Sequence, residues 1–135
     1  MIEIGTALPA HTFTINREIL KAYADASGDQ NPIHQDEEFA KSVGLPDVIA
    51  HGMLTMGRAI QVVTNWVGDP AAVIEYSVRM TRPVVVPDTA EGSVVSFTGK
   101  VAQINDDGTV QVELGAVFGD VKVLGLARAT VRLAH

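Results

Sequence analysis

Apolar and polar positions change their period twice along this chain of 135 residues. His11-Thr12-Phe13-Thr14-Ile15 alternates with the period of two expected of a strand with one buried face. From Asn16 the period lengthens. Ile19, Leu20 and Tyr23 share one helical face, and Asn16 stands where a side chain can cap the free N–H groups of the first turn. That helix must stop by Gly28, because Ser27-Gly28-Asp29-Gln30-Asn31-Pro32 is dense in turn formers and Pro32 drives Asn31 out of the α region. Asp36 is placed to cap a short helix through Glu37, Glu38, Phe39 and Ala40, ended by Gly44 and by Pro46.

The longest apolar segment covers residues 51–66. Met53, Leu54, Met56, Ala59, Ile60, Val62, Val63 and Trp66 fall nearly all round a helical projection, which predicts a central helix buried on most faces. Arg58, Gln61, Thr64 and Asn65 interrupt the segment, leaving it short of the ~20 apolar residues that a bilayer crossing needs. After Gly68-Asp69-Pro70 the chain turns to β-branched alternation over residues 72–80, 92–104, 110–118 and 122–133, the pattern of consecutive antiparallel strands. Asn105-Asp106-Asp107-Gly108 and Gly119-Asp120 have hairpin-turn composition, and Pro83 and Pro87 fit the connection between the first two of these strands. This order predicts a single α+β domain over residues 1–135, with an antiparallel sheet curled around a long central helix. A helix lying flat on an open sheet satisfies the same periodicities.

Composition narrows the function classes. With 47 % apolar and 19 % charged residues the chain can form a packed core, which excludes disorder as its main state. The net charge of -6 argues against broad duplex binding, since phosphate neutralisation needs a surplus of Lys and Arg on one face. No cysteine is present, so thiolate nucleophiles, thiol metal sites and disulfides are excluded. Met1-Ile2-Glu3-Ile4-Gly5 lacks the basic and apolar regions of a secretory signal, and the expected location is cytoplasmic, without membrane association. His11, His34, His51 and His135 show no H-x-x-x-H or similar spacing, so no metal site is expected. Neither a G-x-G-x-x-G nor a Walker loop occurs, and no cofactor is implied. The G-x-S-x-G elbow of acyl-serine hydrolases is also missing.

Chemistry concentrates in Asp29-Gln30-Asn31-Pro32-Ile33-His34. A carboxylate and an imidazole five positions apart would lie on different faces of a helix, so they converge only if the chain bends between them, and Asn31-Pro32 supplies a bend. Such a pair can hold one water between a carboxylate oxygen and a ring nitrogen and move its proton. The plainer reading is an Asx turn at Asp29 beside an ordinary half-buried histidine. A second feature is Ile49-Ala50-His51-Gly52-Met53, which opens the central helix. The unpaired N–H groups and positive dipole end lie there, and Gly52 permits close approach of a carbonyl that gains negative charge. Taken alone, Gly52 could equally relieve crowding at the helix start.

The stretch from Tyr23 to Ala40 resembles the hydratase-2 signature of MaoC-like dehydratases and (R)-specific enoyl-CoA hydratases: an aromatic, then S-G-D-x-N-P-x-H, then a small residue six positions on. Ala26 departs from it, standing where a larger aliphatic residue or Gly is usual. His51-Gly52-Met53-Leu54-Thr55-Met56-Gly57, Trp66-Val67-Gly68-Asp69-Pro70 and Glu75-Tyr76-Ser77-Val78-Arg79 extend the likeness, toward catalytic B-type subunits of actinobacterial (3R)-hydroxyacyl-ACP dehydratases. The resemblance implies a hot-dog fold that pairs with a second hot dog, as a homodimer or heterodimer, into one continuous sheet. It also implies reversible dehydration of (3R)-3-hydroxyacyl-CoA or acyl-ACP to the trans-2-enoyl thioester. Asp29 and His34 would then be catalytic, Gly52 the oxyanion hole, Asn31, Ser27 and Gly28 supporting residues, and His51 a packed or hydrogen-bonded residue behind the hole. The division of proton transfer between Asp29 and His34 stays open. Met53, Met56 and the segment 37–48 are expected beside the acyl chain, and Arg58, Arg79 and Arg82 are candidates for carrier phosphates, Arg79 foremost. Two other readings are a non-catalytic or acyl-binding hot dog, disfavoured by the intact pair, and a thioesterase, disfavoured because residues 51–66 contain no Asp or Glu.

Overall fold

The computed structural model describes residues 2–133. Strand β1 (Ala7–Ile15) leads into helix α1 (Arg17–Ser27), a 3₁₀ turn (Pro32–His34) and helix α2 (Glu37–Ser42). Helix α3 (Gly52–Val67) and a second 3₁₀ turn (Pro70–Ala72) follow, then strands β2 (Val73–Met80), β3 (Ser93–Ile104), β4 (Val110–Phe118), β5 (Val121–Lys122) and β6 (Leu124–Val131). The caps act as their composition suggests: Asn16 Oδ1 accepts from Ile19 N–H at 2.9 Å and Asp36 Oδ1 from Phe39 N–H at 3.1 Å.

All strand pairs are antiparallel, in the order β1-β3-β4-β6-β2, with β5 paired to β4. Three details depart from the sequence-based expectation. The first strand begins at Ala7, because a bulge between Leu8 and His11 shifts its register and hides the earlier half from a strict alternation pattern. β2 and β3 are not neighbours: residues 81–92 carry the chain across the sheet, and β2 becomes an edge strand paired with β6. The stretch 122–133 is split, with Val121 and Lys122 on β4 and the longer piece bridging β4 and β2.

One helix touching both edges tells a curled sheet from a flat one. Five strands about 4.8 Å apart span roughly 19 Å, whereas a helix is only about 10 Å across. Helix α3 nevertheless packs on β1, β3, β4 and β2, so the sheet wraps it. Its buried residues, Leu54, Thr55, Ala59, Val62 and Val63, form one stripe against Phe97, Val95, Val101, Val112 and Leu114. Burial on most faces is therefore not observed within one chain: Met53 is 62 % exposed. Wrapping demands close approach where the helix crosses the sheet. A methyl on Gly99 of β3 would lie 2.9 Å from Val62 Cγ1 and 3.3 Å from Leu114 Cδ2.

Gly99→Ala is accordingly expected to destabilise the fold by about 1–3 kcal/mol, the usual cost of overpacking a well-filled core. Urea unfolding measures it, and an unchanged midpoint would mean that α3 does not sit this close to β3.

Candidate active site

The site begins where α1 ends. Helix α1 closes at Gly28 in the left-handed region (φ 83°), and three short-range hydrogen bonds then fold the polar turn. Ser27 Oγ accepts from Asp29 N–H at 3.2 Å, Asp29 Oδ1 from Asn31 N–H at 3.1 Å, and Asn31 Oδ1 from Ile33 N–H at 3.2 Å. Asp29 thus does make an Asx turn, yet that turn also brings its carboxylate back toward His34. One ligating atom each from Asp29, His34 and His51 lies within 4.8 Å of the others. Asp29 is exposed, whereas His34 is 7 % exposed and His51 1 %.

His34 is held by long-range contacts. Its Nδ1 is 2.7 Å from the Ile49 carbonyl oxygen, so Nδ1–H donates there and Nε2 carries the lone pair of the neutral ring. Ile49 N–H in turn donates to Ile33 O at 3.1 Å, which locks residue 49 to the Pro32–His34 turn from both sides. The strip around Ile49 is itself zipped to the connection after β2: Ala50 N–H donates to Val84 O at 2.9 Å and Val86 N–H to Val48 O at 2.8 Å. Arg17 closes the clamp from α1, donating from Nε to Val86 O and from Nη2 to Asp47 Oδ1, each at 2.8 Å.

His51 packs behind this pair. Its ring stacks on His34 with centroids 3.9 Å apart and an interplanar angle of 26°, and lies against Tyr23 at 4.7 Å. His51 Nε2–H donates to the Asp29 carbonyl oxygen at 3.1 Å, while Nδ1 is buried without a protein partner. Burial pushes the imidazole below its ordinary value of 6.5, and neighbouring His34 acts in the same direction. The Asp29 hydrogen bond and charge oppose this shift. With His34 Nδ1 and His51 Nε2 already engaged by carbonyls, one nitrogen remains open on each ring. Together with the neighbouring Asp29 carboxylate they form a group that can hold and move a proton. His11 packs at a tilt against Phe97 elsewhere, and His135 lies outside the described residues.

His34, Gly52 and Thr55 line a cleft of about 310 Å³ together with Ile49, Ala50 and the residues 80–84. Gly52 is the first residue of α3, and its N–H has no acceptor among the described residues. A methyl at position 52 would sit 3.2 Å from Met80 Sδ, so glycine keeps this wall of the cleft open. Of the expected acyl contacts, Met53 and Met56 are not among the residues that line this cleft, and Met53 is exposed on the outer side of α3. Arg79 is exposed on edge strand β2 outside the cleft, and Arg58 lies over the Phe13 ring at 3.7 Å. Arg82, Met80, Val123 and Leu124 stand at the cleft instead, and Ile49 and Ala50 line it in place of the segment 37–48. The periodicities could not show this, because residues 80–84 and 123–124 reach the site only through the β2 crossing and the β2–β6 pairing.

Comparison with known proteins agrees with this architecture. The MaoC like domain family matches residues 3–117, and the chain belongs to that family. It is 42 % identical over 82 residues to 3-hydroxyacyl-thioester dehydratase X of Mycobacterium tuberculosis, covering 61 % of this chain and 28 % of that protein. It is 41 % identical over 87 residues to the peroxisomal enoyl-CoA hydratase 2 of Arabidopsis thaliana, covering 58 % and 28 %. A solved MaoC-like dehydratase superposes with a TM-score of 0.94 at 44 % identity, over 98 % of this chain and 41 % of the other. The hot-dog fold is thus shown, and the matched part spans 28 % of the length of each of the two curated relatives. Among the described residues, no helix is long and apolar enough to cross a membrane.

Because His51 is held neutral in the fold, the unfolded chain binds more protons once the pH drops below 6.5. This contribution to stability is complete above that value and is lost as pH falls. Urea midpoints are expected to decline from about pH 7 to pH 5, with a smaller decline in His51→Gln. Identical slopes in the two proteins would contradict a neutral, buried His51.

Proposed function

We propose that this chain catalyses the reversible dehydration of (3R)-3-hydroxyacyl thioesters to trans-2-enoyl thioesters. The observation that carries the reading is the tether from His34 Nδ1–H to the Ile49 carbonyl, which leaves Nε2 free as a base on a residue that neighbours Asp29 and lines one cleft with Gly52. In hydration, His34 Nε2 takes a proton from a water whose other hydrogen is held by the Asp29 carboxylate. The hydroxyl adds to C3, and the electron pair moves through C2 to the thioester oxygen, where the N–H of Gly52 and the positive end of α3 receive the charge. The proton on His34 then passes to C2. Dehydration is the reverse, and each atom is accounted for without a cofactor.

His51 positions the pair, joining the Asp29 backbone to the His34 ring face. Arg82 at the cleft, and not Arg79, is the cation placed to meet a phosphate of the CoA or acyl-carrier arm. A second hot-dog unit, either another copy or a different chain, is the partner that fits the open edge of β2, where Ile74 is 49 % exposed, and the uncovered side of α3 at Met53. The solved relative supports this part of the reading, since it is longer and this chain matches 41 % of it.

Crotonyl-CoA and a longer trans-2-enoyl-CoA, followed by loss of enoyl-thioester absorbance, test the reaction, with acyl-ACP as the second carrier. Asp29→Asn and His34→Ala are each expected to lower kcat by ~10²-fold or more with the fold retained, the range for a lost general acid or base. Wild-type turnover that survives both substitutions would refute the assignment.

A further inference from the structure

Five polar side chains are buried among the described residues: His34, His51, Thr55, Ser93 and Thr109. Four of them have protein partners. Ser93 Oγ donates to Val85 O, Thr109 Oγ1 donates to Asp107 Oδ1, and the two histidines hold the Ile49 and Asp29 carbonyls. The Thr55 hydroxyl, on a residue only 3 % exposed, has no side-chain hydrogen bond to any described residue. The His51 carbonyl one turn earlier, the usual acceptor for a helical threonine, already receives the N–H groups of Leu54 and Thr55 at 3.1 and 3.3 Å. The hydroxyl is not among the fully enclosed atoms without a partner, so it keeps access to the cleft that Thr55 lines, where a ligand can complete its bonding.

Thr55 also faces the right way. It lines the same cleft as Gly52 and His34 and follows Gly52 by three residues, so the two share one face of α3. Helical side chains lean toward the N-terminus, which carries the hydroxyl toward the unpaired Gly52 N–H. A thioester oxygen has two lone pairs, and Gly52 N–H supplies one donor. Resting on the reaction assigned above, we infer that the Thr55 hydroxyl is the second: it donates a hydrogen bond to the thioester oxygen, and that bond strengthens as the oxygen takes on enolate charge. Thr55 thereby becomes a catalytic residue of the oxyanion site that does not itself exchange a proton.

The test is steady-state hydration of crotonyl-CoA by the wild type, Thr55→Val and Thr55→Ser. Valine copies the shape without the donor, and serine keeps the donor without the methyl. Thr55→Val is expected to lose about tenfold to a hundredfold in kcat with KM within about twofold, since a donor that acts mainly on the developing charge changes kcat and kcat/KM together. Thr55→Ser should stay within about threefold of wild type, and the Tm of Thr55→Val should not fall, because no protein hydrogen bond is broken. Full kcat in Thr55→Val, or a loss confined to KM, would overturn the role. Thr55→Ala carries the same test should valine disturb folding. An active wild type with an unaffected Thr55→Val removes this inference alone, whereas a wild type silent on both CoA and carrier-protein thioesters removes the reaction and this inference together.

Discussion

Two hydrogen bonds at Ile49 connect the fold to the chemistry. Its carbonyl accepts from His34 Nδ1 at 2.7 Å and its N–H donates to Ile33 O at 3.1 Å, so one residue holds the His34 ring and the peptide that precedes it. Ile49 can do this because the strip on either side of it is zipped to Val84 and Val86, and because Arg17 ties Val86 and Asp47 to α1. The catalytic turn, the entry to α3 and the crossing from β2 to β3 are therefore a single hydrogen-bonded unit. Gly52 follows that strip by only a few residues and lines the same cleft as His34.

The curled sheet gives this unit its rigidity. Helix α3 sits deep enough that a methyl on Gly99 would lie 2.9 Å from Val62 Cγ1, so close packing fixes the helix that presents Gly52. Burial then selects protonation states: His51, stacked on His34 and removed from water, stays neutral and presents an N–H to the Asp29 carbonyl. A charged ring at that position would place a cation against His34, the group proposed to receive a proton.

Local features were legible in the sequence because they are carried by neighbouring residues. Asn16, Asp36 and Asn31 bond to N–H groups two or three positions on, and the helices and turns follow from that chemistry. The convergence of Asp29 and His34 followed from the bend at Asn31-Pro32 and from family resemblance. What could not be read was long range. Nothing in the alternation of residues 73–80 says that they pair with β6 and not β3, so the cleft wall from Met80 to Val84 has no local signal. The near-continuous apolar character of α3 predicts burial on most faces, yet Met53 stays exposed. Thr55 carried a usable signal, its three-residue spacing from Gly52, but a lone threonine in an apolar helix reads as packing until its missing partner is seen.

The tautomer of His34 is where fold and mechanism meet, and long-range ¹H–¹⁵N correlation spectra of the imidazoles measure it directly. With the His34 signals assigned by their absence in His34→Ala, the neutral ring should show Nδ1 as the protonated nitrogen and Nε2 as the bare one, matching donation to the Ile49 carbonyl. The reverse tautomer, with Nε2 protonated, would mean that the ring has no base facing Asp29 and would contradict the mechanism at its first step.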